Sequence, residues 1–448
     1  MDKTRLSRRQ ILRTAAATGA GLSAAALAGN LGAMAAPSIS VHRGTGAHQG
    51  EKVKLTWAIN ALSGTEIDLV QSVVDAFVAK NPNYEVSVLN YDPETYDQVL
   101  LTNISAGTLP DLFVSADVFT KPFFESGLTA DLKPLAASTG FDLNEFDEKF
   151  LALAEYEGKV GFLPRAADVV VTYYNKRMFD TAKVDYPTDT WTYQDMLDAA
   201  QKLTIKAGNG PTTQYGVTAS YSWWAYWVPM VIAEGGQILS DDQKKAVFNS
   251  EQGIKAWDVI FQGLKNGSFV PPSVQDTMGG EWVPFQNGTA AMTFTVRALT
   301  PTFRSQLKDD WDVALVPMGS ASRKTGMGTM GYAMSSQTKD PEATWKLLEY
   351  AYSEGMKFFM ESYLVVPPIK TFYDDPAWLN LPGPPYNNKV FVSATEDAML
   401  PPPLPFYSTG PFKKAMEDGI DAVMLGKMTA EQAVDKMAQE ATRSLLMP

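Results

Sequence analysis

Residues 53–89 read VKLTWAINALSGTEIDLVQSVVDAFVAKNPNYEVSVL and hold three elements in succession. Val53, Leu55, Trp57 and Ile59 alternate with Lys54, Thr56 and Ala58, the period of two expected of a strand. Ile67, Val70, Val74, Phe77 and Val78 then recur at helical spacing as far as Asn81-Pro82, and Ser63 with Glu66 stands at capping-box spacing ahead of them. Glu85–Leu89 is the next strand. Strand, helix and strand in so short a span predict a parallel pair joined by a crossover helix.

The same alternation continues outward from this stretch. A helix over Glu94–Ser105 leads to a short apolar strand at Leu112–Val114, and further strands are expected at Val169–Tyr174, Gly216–Ala219, Ala290–Thr295, Val313–Val316 and Tyr332–Met334. Trp191–Lys206, Ser250–Asn266, Glu342–Ser353, Lys413–Leu425 and Thr429–Leu446 carry helical periodicity. Strands this apolar cannot face water on one side, so the expected architecture is α/β, with parallel sheets covered by helices. At 448 residues the chain is long enough for two or three domains.

The amino-terminal residues read as an export signal rather than as fold. Lys3, Arg5, Arg8, Arg9 and Arg13 precede a mildly apolar run from Ala15 to Leu31, and small residues at Ala33-Met34-Ala35 mark a cleavage site. Ser7-Arg8-Arg9-Gln10-Ile11-Leu12-Arg13 resembles the twin-arginine motif, whose substrates generally cross the membrane already folded. Removal of residues 1–35 takes away five basic residues and one acidic one, which moves the net charge from -12 to -16. Such a field opposes nucleic acid and anionic membranes as partners. Residues 36–52, rich in Ser, Gly, Thr and Ala, read as a flexible tether.

Both histidines, His42 and His48, fall in that tether, and the chain has no cysteine. The folded part therefore cannot build a Ser-His-Asp triad, a Cys-His dyad, a thiolate metal site or a histidine general base. No catalytic residue, metal or cofactor is expected. The acidic run Asp142 to Glu148 lacks the glycine and the spaced terminal glutamate of a calcium loop and reads as a solvated helix start. A lipid anchor also needs a cysteine, so the chain is expected in the periplasm or another extracytoplasmic space without one.

Several segments, taken in order, resemble the solute-binding proteins of ABC importers, in particular the maltose-binding-protein-like group. They are Phe77–Pro82, Ala106–Phe113 (AGTLPDLF), Gly158–Arg165 (GKVGFLPR), Tyr173–Lys176, Thr190–Tyr193, Gly235-Gly236, Phe285–Met292 (FQNGTAAM), Pro341–Trp345 and Leu425–Lys427. The resemblance implies a two-lobed fold with the ligand enclosed at the interface of lobes joined by crossing segments. It places lobe one at 53–167 and 295–352 and lobe two at 168–294 and 353–448. The crossings fall at Ala166–Val171, at Ala290–Thr295 and near Tyr352–Gly355.

Sugars offer apolar C–H faces ringed by hydroxyls, so their sites combine flat aromatic surfaces with carboxylate, amide and guanidinium groups. Trp223-Trp224-Ala225-Tyr226-Trp227 is the densest aromatic group, and neither a helix nor a strand can bury all four rings on one face. Trp223, Trp224 and Tyr226 are therefore candidate ligand contacts. Ser63 and Gly64 lie between the first strand and its helix, where open α/β sheets meet ligands, although plain capping would also explain them. Tyr91 and Asp92 follow the second strand and Asp117 the third; turn formation is the alternative reading.

Arg165 and Asp168 flank the first crossing and either pair with each other or touch ligand. At Arg297 relatives commonly carry a Gly-Pro-Trp run, and the cation in its place points to an acidic or phosphorylated ligand. Gly331, Tyr332 and Tyr407 match late cleft-facing segments.

The function expected from these observations is that of a monomeric binding component of an ABC importer. It would close about a carbohydrate, of oligosaccharide size, and deliver it to transmembrane permease subunits. The rivals are the same fold binding a glycerophosphodiester or acidic sugar, and a secreted glycoside hydrolase, which needs only two carboxylates.

Overall fold

The computed structural model describes residues 38–43 (backbone only), 52–61, 64–93, 95–208, 210–400 and 410–446. The expected export signal and most of the expected tether lie outside them. The chain divides into two compact units, the first reaching Ala167 and resuming over Gly328–Ala377, the second comprising Asp168–Met327 and Trp378 onward.

In the first unit the chain forms β1 (Ser38–Arg43), β2 (Val53–Ile59), α1 (Gly64–Lys80), β3 (Tyr84–Asn90), α2 (Tyr96–Ala106), β4 (Leu112–Ala116) and β5 (Phe162–Pro164). It then enters the second unit as β6 (Val171–Asn175), α3 (Tyr193–Leu203), β7 (Ile205–Lys206), β8 (Thr212–Thr218), α4 (Trp224–Ala233), α5 (Glu251–Asn266), β9 (Ala290–Thr295) and β10 (Trp311–Ala314). It returns to the first as β11 (Met330–Met334) and α6 (Pro341–Tyr352), and ends in the second as α7 (Gly410–Met424) and α8 (Ala430–Leu445).

The sheet of the first unit runs β1-β3-β2-β4-β11-β5. Its centre, β3-β2-β4, is parallel as expected, because α1 and α2 supply the crossovers. Its flanks are antiparallel: β11 pairs with β4 and β5, and β1 pairs with β3. The expectation of wholly parallel sheets is thus corrected. Strand β11, which arrives from the second unit, needs no local crossover helix and is free to run either way. Strand β1 also corrects the tether, since Ser38–Arg43 pairs residue by residue with Glu85–Asn90 and carries His42 into the sheet edge.

The sheet of the second unit, β7-β8-β9-β6-β10, has one parallel pair, β8 with β9. Helices α4, α5, α7 and α8 share one apolar core, in which Trp227 meets Phe248, Trp257 and Phe412 at ring distances of 5.2, 5.5 and 6.4 Å. Capping boxes start α3 at Thr192 and Asp195 and α8 at Thr429 and Gln432, satisfying amide donors that a helix start leaves without partners.

The unit boundaries differ from the expected crossings at two places. Residues 295–327 stay in the second unit because β10 pairs with β6 and Phe303 packs on Tyr173 at 5.3 Å, so the return falls at Met327 and Gly328. Residues 353–377 stay in the first, held by Asp147 N–H on Pro368 O, Ala167 N–H on Val366 O and Phe359 against Tyr332. The last passage is at Ala377 and Trp378.

Candidate ligand-binding site

In the first unit, β2, β3 and β4 are parallel neighbours, so the residues after them share one edge of the sheet. Gly64 is exposed at the start of α1, Asp92 is exposed and Tyr91 is half-buried with its ring 6.2 Å from Tyr96. Burial raises the Tyr91 phenol, with the Asn103 side chain acting in the opposite sense. Asp117 accepts from Val118 N–H at 2.7 Å and Thr329 N–H at 3.2 Å. Desolvation nevertheless pushes its carboxyl up, those two donors only partly offsetting it. Gly328 lies against the same carboxylate, 3.1 Å from where a Cβ would stand. Ser63 and Tyr407 lie outside the described residues.

Arg165, Gly331 and Tyr332 are placed differently from the expectation. Arg165 is buried and pairs with Glu66, not with Asp168: its guanidinium donates to Glu66 Oε1 at 2.5 Å and to Tyr332 Oη at 3.2 Å. Burial works to lower its pKa, but the Glu66 carboxylate and the Tyr332 hydroxyl outweigh that and raise it. Tyr332 is fully buried in mid-strand, its ring edge-on to Trp57 at 4.7 Å. Gly331 is buried where β11 meets β5, and a Cβ there would fall 1.9 Å from Leu163 O. These three belong to the core of the first unit, where a solute has no access. Glu66, read in the sequence as a cap, is the counter-ion of that core.

In the second unit Trp223 and Trp224 are half-buried at the start of α4, while Tyr226 points into the core, 5.2 Å from Phe294. The helical turn separates them: two of the four rings face inward and two lie at the end of the helix. Tyr226 is thereby removed from the expected contacts, and burial raises its phenol. A cavity of about 20 Å³ adjoins it, lined by Tyr193, Met196 and Met230, with room for a water but not a sugar. Asp168 is half-buried in a two-residue strand. Arg297, expected to meet an anion, is fully buried, donates to Asn388 Oδ1 at 2.5 Å and lies 5.3 and 5.1 Å from the Trp378 and Phe391 ring centres. It is a core cation, not an exposed one.

Two residues that sequence reading passed over stand beside Trp223. Trp282 meets it edge-on at 6.2 Å, and the neighbouring Glu281 accepts from Ser220 Oγ at 3.0 Å. Ser220 follows β8, and Thr218 Oγ1 donates to Glu281 O, which fastens residues 281–282 to the carboxyl end of that strand. The only sequence signal was a tryptophan in a polar stretch ahead of the Phe285–Met292 motif. Among the described residues no group of three or more His, Cys, Asp or Glu side chains is placed to hold a metal, and no helix is long and apolar enough to cross a membrane.

Two α/β units with three chain passages between them make the fold of a two-lobed substrate-binding protein. The sequence pattern of the bacterial extracellular solute-binding proteins matches residues 72–384, and the chain belongs to that family. It is 24% identical over 408 residues to the sn-glycerol-3-phosphate-binding periplasmic protein UgpB of Escherichia coli (strain K12), covering 85% of this chain and 90% of the relative. Among solved structures it resembles an ABC substrate-binding protein of Listeria monocytogenes in complex with cycloalternan, with TM-score 0.75 and 23% identity over 89% of this chain and all of that one. It also resembles maltose-bound MalE3 of T. maritima, with TM-score 0.70 and 20% identity over 87% of this chain and 99% of that one.

Proposed function

We propose that this protein is the extracytoplasmic receptor of an ABC importer, that it binds a neutral carbohydrate of oligosaccharide size, and that it hands it to the membrane permease. The observation that carries the reading is the half-buried pair Trp223 and Trp224 at the start of α4, with the second tryptophan cluster member Trp282 beside it. Flat apolar rings left accessible next to carboxylates suit the C–H faces and hydroxyls of a sugar. The twin-arginine signal fits export in folded form. No residue is assigned a catalytic role.

A second reading, a phosphorylated glycerol ligand, has the UgpB relationship in its favour. Against it, both arginines offered by the sequence are buried in the cores, Arg165 on Glu66 and Arg297 on Asn388. The test is a thermal-shift and tryptophan-fluorescence screen of the exported form over malto-oligosaccharides, other neutral oligosaccharides, sugar acids and sn-glycerol 3-phosphate, with product analysis of each hit. A neutral oligosaccharide should raise the melting temperature and change the fluorescence, and Trp223→Ala or Trp224→Ala should weaken its binding. Turnover of the hit, or unchanged affinity in both variants, would overturn the assignment.

A further inference from the structure

We propose that Glu281 is a ligand-contacting residue of the second unit and sets its preference for neutral, hydroxyl-rich solutes over anionic ones. This rests on the carbohydrate reading above and gives it a specificity determinant. Glu281 is half-buried, and its side chain is aimed by Ser220, a buried residue just past the carboxyl end of β8, which is the edge where open α/β sheets meet ligands. Its backbone is fixed independently by Thr218 Oγ1, and Gln275 Nε2 donates to both Thr218 Oγ1 and Ala219 O at 3.0 Å, so the strand end itself is held. Trp282 and Trp223, also half-buried, meet edge to face beside it.

One carboxylate oxygen is thus occupied by Ser220, and Oε2 meets no donor among the described residues. A carboxylate accepts and never donates, so a group completing it must bring a donor hydrogen, as the hydroxyls of a sugar do. A phosphate or carboxylate on the solute would bring a like charge instead, which is discrimination by repulsion. The rings next to it supply the apolar surface that a sugar presents beside its hydroxyls.

The experiment is titration calorimetry of the wild type, Glu281→Gln, Ser220→Ala and Trp223→Ala, using the oligosaccharide that gives the largest thermal shift and, separately, sn-glycerol 3-phosphate. A hydrogen bond to a charged group predicts that Glu281→Gln weakens the oligosaccharide by about tenfold or more. It should do so with the melting temperature of the ligand-free protein unchanged, because glutamine keeps an oxygen for Ser220. Ser220→Ala, which only frees the carboxylate, should lose less, and the handicap of the anionic ligand should shrink in Glu281→Gln. If Trp223→Ala loses affinity while Glu281→Gln stays within about twofold of wild type, this inference falls and the carbohydrate reading stands. If the wild type binds no oligosaccharide, or prefers sn-glycerol 3-phosphate, the carbohydrate reading falls and this one with it.

Discussion

Replacing Glu66 by Gln removes one charge from the core of the first unit and leaves its shape. Glu66 and Arg165 are each 6% exposed and separated by 2.5 Å, and the guanidinium also lies 5.6 Å from the Tyr332 ring centre. The wild-type pair already bears the desolvation of both ions, so its net contribution is small. Removing one partner is different, because the remaining guanidinium keeps its desolvation cost and loses the attraction that offset it. Breaking a buried pair in this way costs about 3–5 kcal/mol. At roughly 2–4 °C per kcal/mol for a domain of this size, the melting temperature should fall by on the order of 10 °C.

The assay is thermal and guanidinium unfolding followed by fluorescence and circular dichroism, with Arg165→Met and the double variant completing a cycle. The double variant should recover most of the loss, since no unpaired charge is left inside. If Glu66→Gln lies within about 0.5 kcal/mol of wild type, or the double variant is no better than the worse single one, the carboxylate is not compensating a buried cation and the reasoning is wrong.

Two further outcomes are expected. Gly331→Ala should lose about 3 kcal/mol or more and much of its soluble yield, because its Cβ would overlap Leu163 O, whereas Gly64→Ala, with nothing within 4 Å, should fold like wild type; equal melting temperatures would refute the close strand approach. Asp309 accepts from Arg177 Nε at 2.5 Å and from its Nη2 at 2.7 Å, which with Asn175 holds its carboxyl below the ordinary value of 3.8. A depressed acid contributes stability above its unfolded pKa and loses it as pH falls through the folded one. Asp309→Asn should therefore cost about 1 kcal/mol at neutral pH, Arg177 being half exposed, with the gap closing below pH 3.8; a pH-independent gap measured by urea unfolding would refute it.

Local pattern made the elements legible. Alternation over Val53–Ile59 and the period of α1 correspond to the strand and helix observed, and the aromatic run at 223–227 had to divide between inside and outside because a helix has one buried face. The absence of cysteine is a fact of composition that no folding can alter, and it removed disulfides and thiolate chemistry, whereas the argument from histidine did not survive, because β1 carries His42 into the sheet. The ends of the lobes were not legible, because the segment 295–327 carries no local mark of the sheet it joins. Its place depends on β10 pairing with β6, across a long stretch of intervening chain.

The sequence by itself therefore determined the α/β class and the order of the main elements, since these follow from spacings within a turn or a strand. Only the tertiary structure decided which polar residues remain available to a ligand. Arg165 and Arg297 have the same formal charge on paper whether buried or exposed; Glu66, 99 positions before Arg165, and Asn388, 91 after Arg297, take them into the cores. Glu281, unremarked in the sequence, becomes a candidate because Ser220, 61 positions earlier, holds one of its carboxylate oxygens at 3.0 Å. Burial and ion pairing are made by contacts distant in sequence, and no local period encodes them.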